Sequence, residues 1–202
     1  FKIHSQYSIC EGAVKIDELA DYCKKNKIKS VGLCDSLNLC GALEFAEKIS
    51  KVGTQPIIGS QINFRIENVI GKLPVFATSK EGYKNLTKLS SLSYLESEAT
   101  SEPYCKLEHL YNNPEGLVVL SGTVYDLFGK LFKLNKLDFI KNLLKNLNKN
   151  FKNNFYIEIQ RHLENDEKNY EDFLISISSE LMLPLISSQE VFYIKEEMAE
   201  AH

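Results

Sequence analysis

The sequence predicts an α/β fold in which parallel βα units curl into a closed or nearly closed barrel. Seven short apolar runs have the pattern of buried strands, and amphipathic helical segments separate most of them. Strands that alternate with helices are typical of parallel sheets. No G-x-G-x-x-G motif follows any of the runs, which argues against a dinucleotide-binding fold.

The strand-like runs and the helical segments follow one another along the chain. The runs lie at 1–4, 30–35, 55–66, 73–78, 116–122, 155–160 and 183–188. Helices are predicted at 14–27, 41–53, 80–97, 124–132, 135–149 and 165–182, with an unfinished helix at 196–202. The runs at 55–66 and 73–78 are expected to form a hairpin, and 98–105 is expected to form a loop.

The first two helices show helical periodicity most clearly. In the first, the apolar residues fall at spacings of three and four and mark one face: Ile16, Leu19, Ala20 and Cys23. Acids in its first turn and lysines in its last suit the helix dipole. The second helix repeats the spacing with Ala42, Phe45, Ala46 and Ile49.

Composition limits the classes of function. The 202 residues suffice for one large or two small domains, with 44% hydrophobic and 25% charged residues. A net charge of -3 argues against independent binding to duplex DNA. No apolar run long enough to span a membrane and no basic-then-apolar leader is visible. Five cysteines without C-x-x-C spacing favour free thiols and a cytoplasmic location.

Several polar residues lie at or just past predicted strand ends, where barrel enzymes carry their chemistry. They are His4, Asp35, Gln61, Thr123 and Glu190, and His162 follows another strand. His4 belongs to the opening segment FKIHSQYSICEG, which has the look of a metal motif with one histidine replaced by Lys2. For His162, a hydrogen-bonded rim residue is the alternative to a site residue.

An ordered set of segments resembles one family. FKIHSQYSICEGAVKIDEL, SVGLCDSLNLCGALEFAEKISKVGTQPIIGSQ, EGYKNLTKLSSLSYLE, EGLVVLSG, FYIEIQRH and LPLISSQEVFYIKEEMAEAH are similar to PHP (polymerase and histidinol phosphatase) domains, specifically those of bacterial DNA polymerase III alpha subunits. The resemblance implies a distorted (β/α)7 barrel, the PHP fold, as a single domain over 1–202. It also implies that this domain is the N-terminal part of a longer polymerase chain.

Metal-binding members of the family carry a trinuclear cluster, and its ligand positions can be carried over onto this sequence. The opening His-x-His falls on Lys2 and His4, and the acid that follows falls on Glu11. The histidine after the Asp of the second strand falls on Ser36, beside Asp35. The later positions fall on Gln61, Lys72, Thr123, Glu190 and Phe192.

Only His4, Glu11 and Glu190 retain metal-ligating groups, so we expect no trinuclear cluster and no catalysis by this domain. Lysine ammonium groups have no lone pair to donate. We hypothesise that Lys2 and Lys72 replace the metal charge and form ion pairs with Glu11 and Glu190. The alternative is a drifted pocket with solvated lysines.

The resemblance implies a structural and docking role in DNA replication. The expected partners are the polymerase core of the same chain, a proofreading exonuclease subunit, other replicase subunits and, through the parent chain, DNA. The parent polymerase would use Mg²⁺, and this domain would need no cofactor. The alternatives are an active metal-dependent 3′–5′ exonuclease or phosphoesterase, a residual single-ion site, and an independent PHP-like phosphatase.

Overall fold

The computed structural model describes residues 2–98, 102–162 and 166–201. The strands are β1 (Lys2–Ile3), β2 (Ser30–Ser36), β3 (Gln55–Ile66), β4 (Val69–Ala77), β5 (Cys105–Lys106), β6 (Leu117–Leu120), β7 (Phe155–Ile159), β8 (Leu185–Ser187) and β9 (Glu190–Val191). The α-helices are α1 (Ile16–Asn26), α2 (Ala42–Lys51), α3 (Lys80–Leu95), α4 (Leu107–Tyr111), α5 (Leu127–Lys133), α6 (Leu137–Phe151) and α7 (Glu167–Leu181). Short 3-10 helices lie at Lys152–Asn154 and Glu196–Ala201.

The chain forms two compact units. The first unit contains residues up to 61 together with those from 189 onward, and the second unit contains residues 62–188. In the first unit the strand order is β3-β2-β1-β9. The β2–β3, β1–β2 and β1–β9 pairs are all parallel. Parallel neighbours need a crossover connection, which α1 and α2 provide for the first three strands.

The core of the first unit lies under α1 and α2, whose apolar faces were predicted from the sequence. Ile16, Leu19, Ala20 and Cys23 of α1 are buried, as are Ala42, Phe45 and Ile49 of α2. They pack in one cluster with Val14, Val31 and Leu33. Burying each large apolar side chain contributes about 1.5–3 kcal/mol, so this cluster is what fixes β1 and β2 in place.

The second unit has a mixed sheet. β4 lies beside β3, to which a two-residue turn at 67–68 connects it, as the hairpin prediction requires. β4 pairs antiparallel with β6, and the β6–β7 and β7–β8 pairs are parallel. β5 joins the outer end of β3 at Phe64 and Arg65. The helices α3, α5, α6 and α7 all belong to this unit.

Two short strands and one short α-helix were not predicted. β5 and β9 have two residues each and α4 has five, which is too short to show periodicity in the sequence. Lys72 was expected before a strand but lies inside β4, since that strand begins four residues earlier than predicted. The final segment, predicted as an unfinished helix, forms a 3-10 helix instead.

No helix within the described ranges is long and apolar enough to cross a membrane.

Candidate functional site

Strands β1 and β9 bring four of the predicted site positions together in the first unit. The two strands pair in parallel with Lys2 opposite Glu190, and the His4 amide donates to Val191 at 2.9 Å. Side chains two residues apart along a strand point to the same face. Lys2 therefore adjoins Glu190, and His4 adjoins Phe192.

Lys2 is a fully buried lysine with a charged partner. Its side chain is 0% exposed, and its ammonium lies 3.2 Å from Oε1 of Glu190. The side-chain amide of Gln61, in β3, donates a hydrogen bond to the same oxygen. A buried ammonium is tolerated only with a counter-charge. The ion-pair hypothesis is thus confirmed for Lys2, and the solvated alternative is wrong for this residue; for Lys72 the hypothesis stays a prediction.

Glu190 is held in its ionised form. Burial by itself would raise the pKa of its carboxyl group, but the neighbouring His4 ring and the Lys2 charge outweigh burial and lower the pKa to about 2. The ordinary value is 4.5. Because the folded pKa lies below the ordinary one, this carboxylate stabilises the folded state above about pH 4.5. The contribution is lost as the pH falls towards 2.

We predict that Glu190 keeps its charge at pH values where ordinary glutamates are protonated. A ¹³C NMR titration of glutamate carboxyl groups from pH 6 to pH 3 should show the Glu190 resonance almost unchanged, since its pKa is about 2. The Glu190→Gln variant assigns the resonance by its disappearance. A Glu190 resonance that moves with a midpoint near the ordinary pKa would contradict the assigned environment.

The His4 ring contacts one aromatic side chain and lies near two carboxylates. Its ring stacks on Phe192 with centroids 4.5 Å apart and an interplanar angle of 19°. Nε2 lies 3.5 Å from Glu190, and Nδ1 lies 3.9 Å from Glu11. Phe192 stands where the family has its closing histidine, so an apolar ring that packs on His4 replaces a lone pair that would bind metal.

Glu11 is held by the residue that replaces a ligand histidine. The hydroxyl of Ser36, the last residue of β2, donates a hydrogen bond to the Glu11 carboxylate. Glu11 is partly exposed, whereas His4 beside it is buried. Seven of the nine carried-over positions therefore lie in the first unit, where contacts connect them: Lys2, His4, Glu11, Ser36, Gln61, Glu190 and Phe192.

Asp35 anchors the loop that follows β1. It is buried and accepts hydrogen bonds from the Ser5 amide at 2.6 Å, the Ser5 hydroxyl at 2.8 Å and the Ser8 hydroxyl at 2.8 Å. The Ser8 oxygen in turn accepts from the Ser36 amide at 3.0 Å. Gly12 allows the loop to fold back, because a Cβ there would lie 2.1 Å from the Ser5 carbonyl oxygen.

Neither Ser5 nor Ser8 was predicted from the sequence as a site residue. A signal was available, because a carboxylate at the end of a buried strand requires hydrogen-bond donors. Asp35 ends such a run, and the two serines lie in the segment that follows the neighbouring strand.

The remaining predicted positions lie in the second unit. Thr123 follows β6, and its amide donates to Asp126 at 2.7 Å. His162 is exposed, with its ring 2.9 Å from the Gln160 side chain, so it is a hydrogen-bonded residue. Thr123 and Gln160 line a cleft together with Tyr170, whose pKa is raised chiefly by burial. A role for these residues in a shared site stays a prediction.

The donor set does not fit the trinuclear metal cluster that the family implies. Of nine ligand positions, His4, Glu11 and Glu190 alone have groups that bind transition metals well. In the part of the chain that the structure describes, no three His, Cys, Asp or Glu side chains converge in a way that could hold a metal ion. Glu190 is already engaged with the Lys2 ammonium.

The fold and the sequence together define a PHP-type protein. The sequence profile of the PHP domain matches residues 1–162, and the chain belongs to this family. Two solved structures share the fold: a proposed metal-dependent phosphoesterase from Bifidobacterium adolescentis (TM-score 0.54, 11% identity, 95% of this chain and 87% of that one) and an amidohydrolase from Chromobacterium violaceum (TM-score 0.55, 10% identity, 95% and 86%). They confirm the predicted α/β barrel class.

Curated relatives are DNA polymerase III alpha subunits. Those of Borreliella burgdorferi and Rickettsia bellii are each 33% identical, over 210 and 202 residues, and that of Vibrio cholerae is 30% identical over 204. The matches cover 98–100% of this chain but only 17–18% of each relative. The chain therefore spans less than a fifth of the length of these relatives.

Proposed function

We propose that this chain is the PHP domain of a bacterial DNA polymerase III alpha subunit and serves DNA replication without catalysing a reaction itself. The similarity to alpha subunits along nearly the whole chain supports this assignment. The small share of each relative that is matched supports a longer parent chain, in which residues 1–202 form one domain in the cytoplasm. Nucleotide addition, with its Mg²⁺ ions, would belong to the rest of that chain.

The observation that carries the proposal is the buried Lys2 ammonium beside Glu190. Metal-dependent hydrolysis needs cations that activate water and hold phosphate oxygens. At this position the chain has a tethered positive charge without a lone pair, and it neutralises a carboxylate that a metal would need. Loss of the metal chemistry with retention of the fold favours a structural role.

A docking role follows from the same reasoning. A PHP domain that does not cleave DNA leaves proofreading to a separate exonuclease subunit, and we propose that this domain binds that subunit and the polymerase core. Other replicase subunits would assemble on the parent chain. The net charge of -3 supports contact with DNA through the parent chain and not through this domain alone.

A combined metal and nuclease assay tests the proposal. The purified chain, incubated with zinc or manganese and desalted, is expected to retain less than stoichiometric metal by elemental analysis. It is expected to leave a 3′-labelled single-stranded oligonucleotide intact, since six of the nine ligand positions lack suitable donors. When the exonuclease subunit is added, the mixture should cleave the oligonucleotide. The two proteins should also elute together in size-exclusion chromatography.

The reverse result would establish the alternative function. Stoichiometric metal together with cleavage that a chelator abolishes would identify an active 3′–5′ exonuclease or phosphoesterase. Separate elution of the two proteins would remove the docking role while leaving the loss of catalysis in place.

A further inference from the structure

We propose that the exposed face of α6, together with the short 3-10 helix that follows it, binds the phosphate backbone of duplex DNA. This lysine–asparagine face consists of the exposed residues between 142 and 154: Asn142, Lys145, Asn146, Lys149, Asn150, Lys152, Asn153 and Asn154. The inference rests on the proposed function, because the duplex is the one that the parent polymerase holds. It adds a second, weaker contact with that duplex, made by this chain itself.

The lysine–asparagine face carries positive charge alone. No aspartate or glutamate occurs between Asp138 and Glu158, and every exposed residue from 142 to 154 is lysine or asparagine. The whole chain has 27 acidic residues against 24 lysines and arginines, so the face opposes the overall charge balance. A local positive patch on a negative chain attracts a polyanion to the patch and not to the rest of the surface.

The three lysines of the face are not neutralised by neighbouring acids. Lys141, one turn earlier in α6, pairs with Glu180. Among the residues that the structure describes, no carboxylate oxygen lies within 4.0 Å of the amines of Lys145, Lys149 or Lys152. Lys145 and Lys149 are four residues apart, about 6 Å along the helix, so their charges form a row. The row is available to an external anion that extends over several charges.

The side chains of the face suit the backbone of duplex DNA better than other polyanions. Lysine ammonium and asparagine amide groups are among the donors with which proteins contact phosphate oxygens. Protein interfaces are centred on aromatic or aliphatic anchors, and the exposed residues of 142–154 include none. Single-stranded DNA is bound through aromatic side chains that stack on its bases, and these are equally absent from the exposed residues of 142–154.

The opposite face of α6 fixes the helix in the second unit. Its buried residues are Ile140, Leu144, Leu147 and Phe151. Because none of them belongs to the lysine–asparagine face, substitutions on that face leave the packing of α6 in place. Loss of binding in such variants therefore reports on the charges and not on the fold.

The inference is tested by fluorescence anisotropy with a labelled duplex of about 20 base pairs, at about 20 mM salt and with EDTA present. The Lys145→Gln/Lys149→Gln/Lys152→Gln variant is expected to bind at least about tenfold more weakly than the unsubstituted chain. Its plot of log K against log salt should be less steep by about three. The matched control is Lys80→Gln/Lys84→Gln/Lys88→Gln, which removes the same charge from α3, where Lys84 pairs with Glu81 at 2.9 Å. We expect the control to bind within about threefold of the unsubstituted chain.

A second measurement needs no variant. Addition of the duplex to the ¹⁵N-labelled unsubstituted chain should shift the backbone amide resonances of 142–154 more than those of α3. Equal shifts in both helices, equal weakening by the two triple variants, or an unsubstituted chain that does not bind the duplex would overturn the inference. Tighter binding of a single strand of the same length, or of polyglutamate, would also overturn it and assign the face to another partner.

Failure of this inference is separate from failure of the proposed function. The anisotropy measurement contains EDTA, so it reports binding without metal-dependent cleavage. The chain can fail to bind the duplex and still lack nuclease activity, which leaves the proposed function in place. Nuclease activity with metal would refute the proposed function whatever the affinity for the duplex.

Discussion

Replacement of Glu190 by glutamine is expected to lower the free energy of unfolding by about 3–5 kcal/mol, because it removes the carboxylate that pairs with a buried ammonium at 3.2 Å. The Lys2 side chain is 0% exposed, so water cannot take over the lost interaction without a rearrangement of β1. Glutamine preserves the shape and can still accept the hydrogen bond from Gln61. The loss therefore measures charge and not packing. Urea denaturation at pH 7, followed by circular dichroism, gives the value.

A double-mutant cycle separates this charge effect from others. Lys2→Met keeps the length of the side chain without its charge, and the Lys2→Met/Glu190→Gln variant is expected to unfold within about 1–2 kcal/mol of the unsubstituted chain. Glu197→Gln is the matched control, since its pair with Lys195 spans 3.8 Å between side chains that are 61% and 77% exposed. We expect that control to change stability by no more than about 0.5 kcal/mol. Equal losses for Glu190→Gln and Glu197→Gln would refute the buried ion pair.

Asp35→Ala is expected to cost about 3–4 kcal/mol, because three hydrogen bonds to a buried carboxylate are lost together. The donors are the amide and hydroxyl of Ser5 and the hydroxyl of Ser8. Without this acceptor, the loop after β1 keeps only its hydrogen bonds to Ser36 among the attachments to β2 described above. Hydrogen exchange should show the Ser5 amide exchanging much faster than in the unsubstituted chain, and urea denaturation gives the stability loss.

Asp35→Asn should lower the free energy of unfolding by less than Asp35→Ala does, by about 1–2 kcal/mol. The asparagine carbonyl can still accept from the Ser5 amide, while its NH₂ group faces a hydroxyl that must rotate. Asp21→Ala serves as the control, since Asp21 is exposed on α1 and alanine favours helix. A loss for Asp35→Ala no larger than that for Asp21→Ala would show that Asp35 does not anchor the loop.

Long elements and their buried faces could be predicted from the sequence, and short ones could not. The apolar face of α1 follows from periodicity over eleven residues. β9 has two residues, and its place beside β1 comes from tertiary pairing that no local pattern records. The hypothesis for Lys2 named two acids, and only the register of β1 with β9 assigns Glu190 as its partner at 3.2 Å.

Positions for the site side chains could be proposed from the sequence, whereas their contacts could not. The carried-over positions placed Ser36 and Phe192 in the rim, but their contacts with Glu11 and His4 depend on geometry that the sequence does not contain. Ser5 and Ser8 could not be singled out from the sequence, because serine is common in loops. Their role as hydrogen-bond donors follows from the burial of Asp35.

β1 and β9 pair with each other although the ribosome synthesises β9 long after β1. The first unit consists of two stretches separated by the contiguous residues 62–188, so the second unit can be complete before Glu190 exists. At about 5–20 residues per second, Glu190 follows Lys2 by roughly 10–40 s. Until then the Glu190 carboxylate cannot offset the cost of removing the Lys2 ammonium from water. Lys2 is thus made long before its partner and is among the last residues to reach its folded environment.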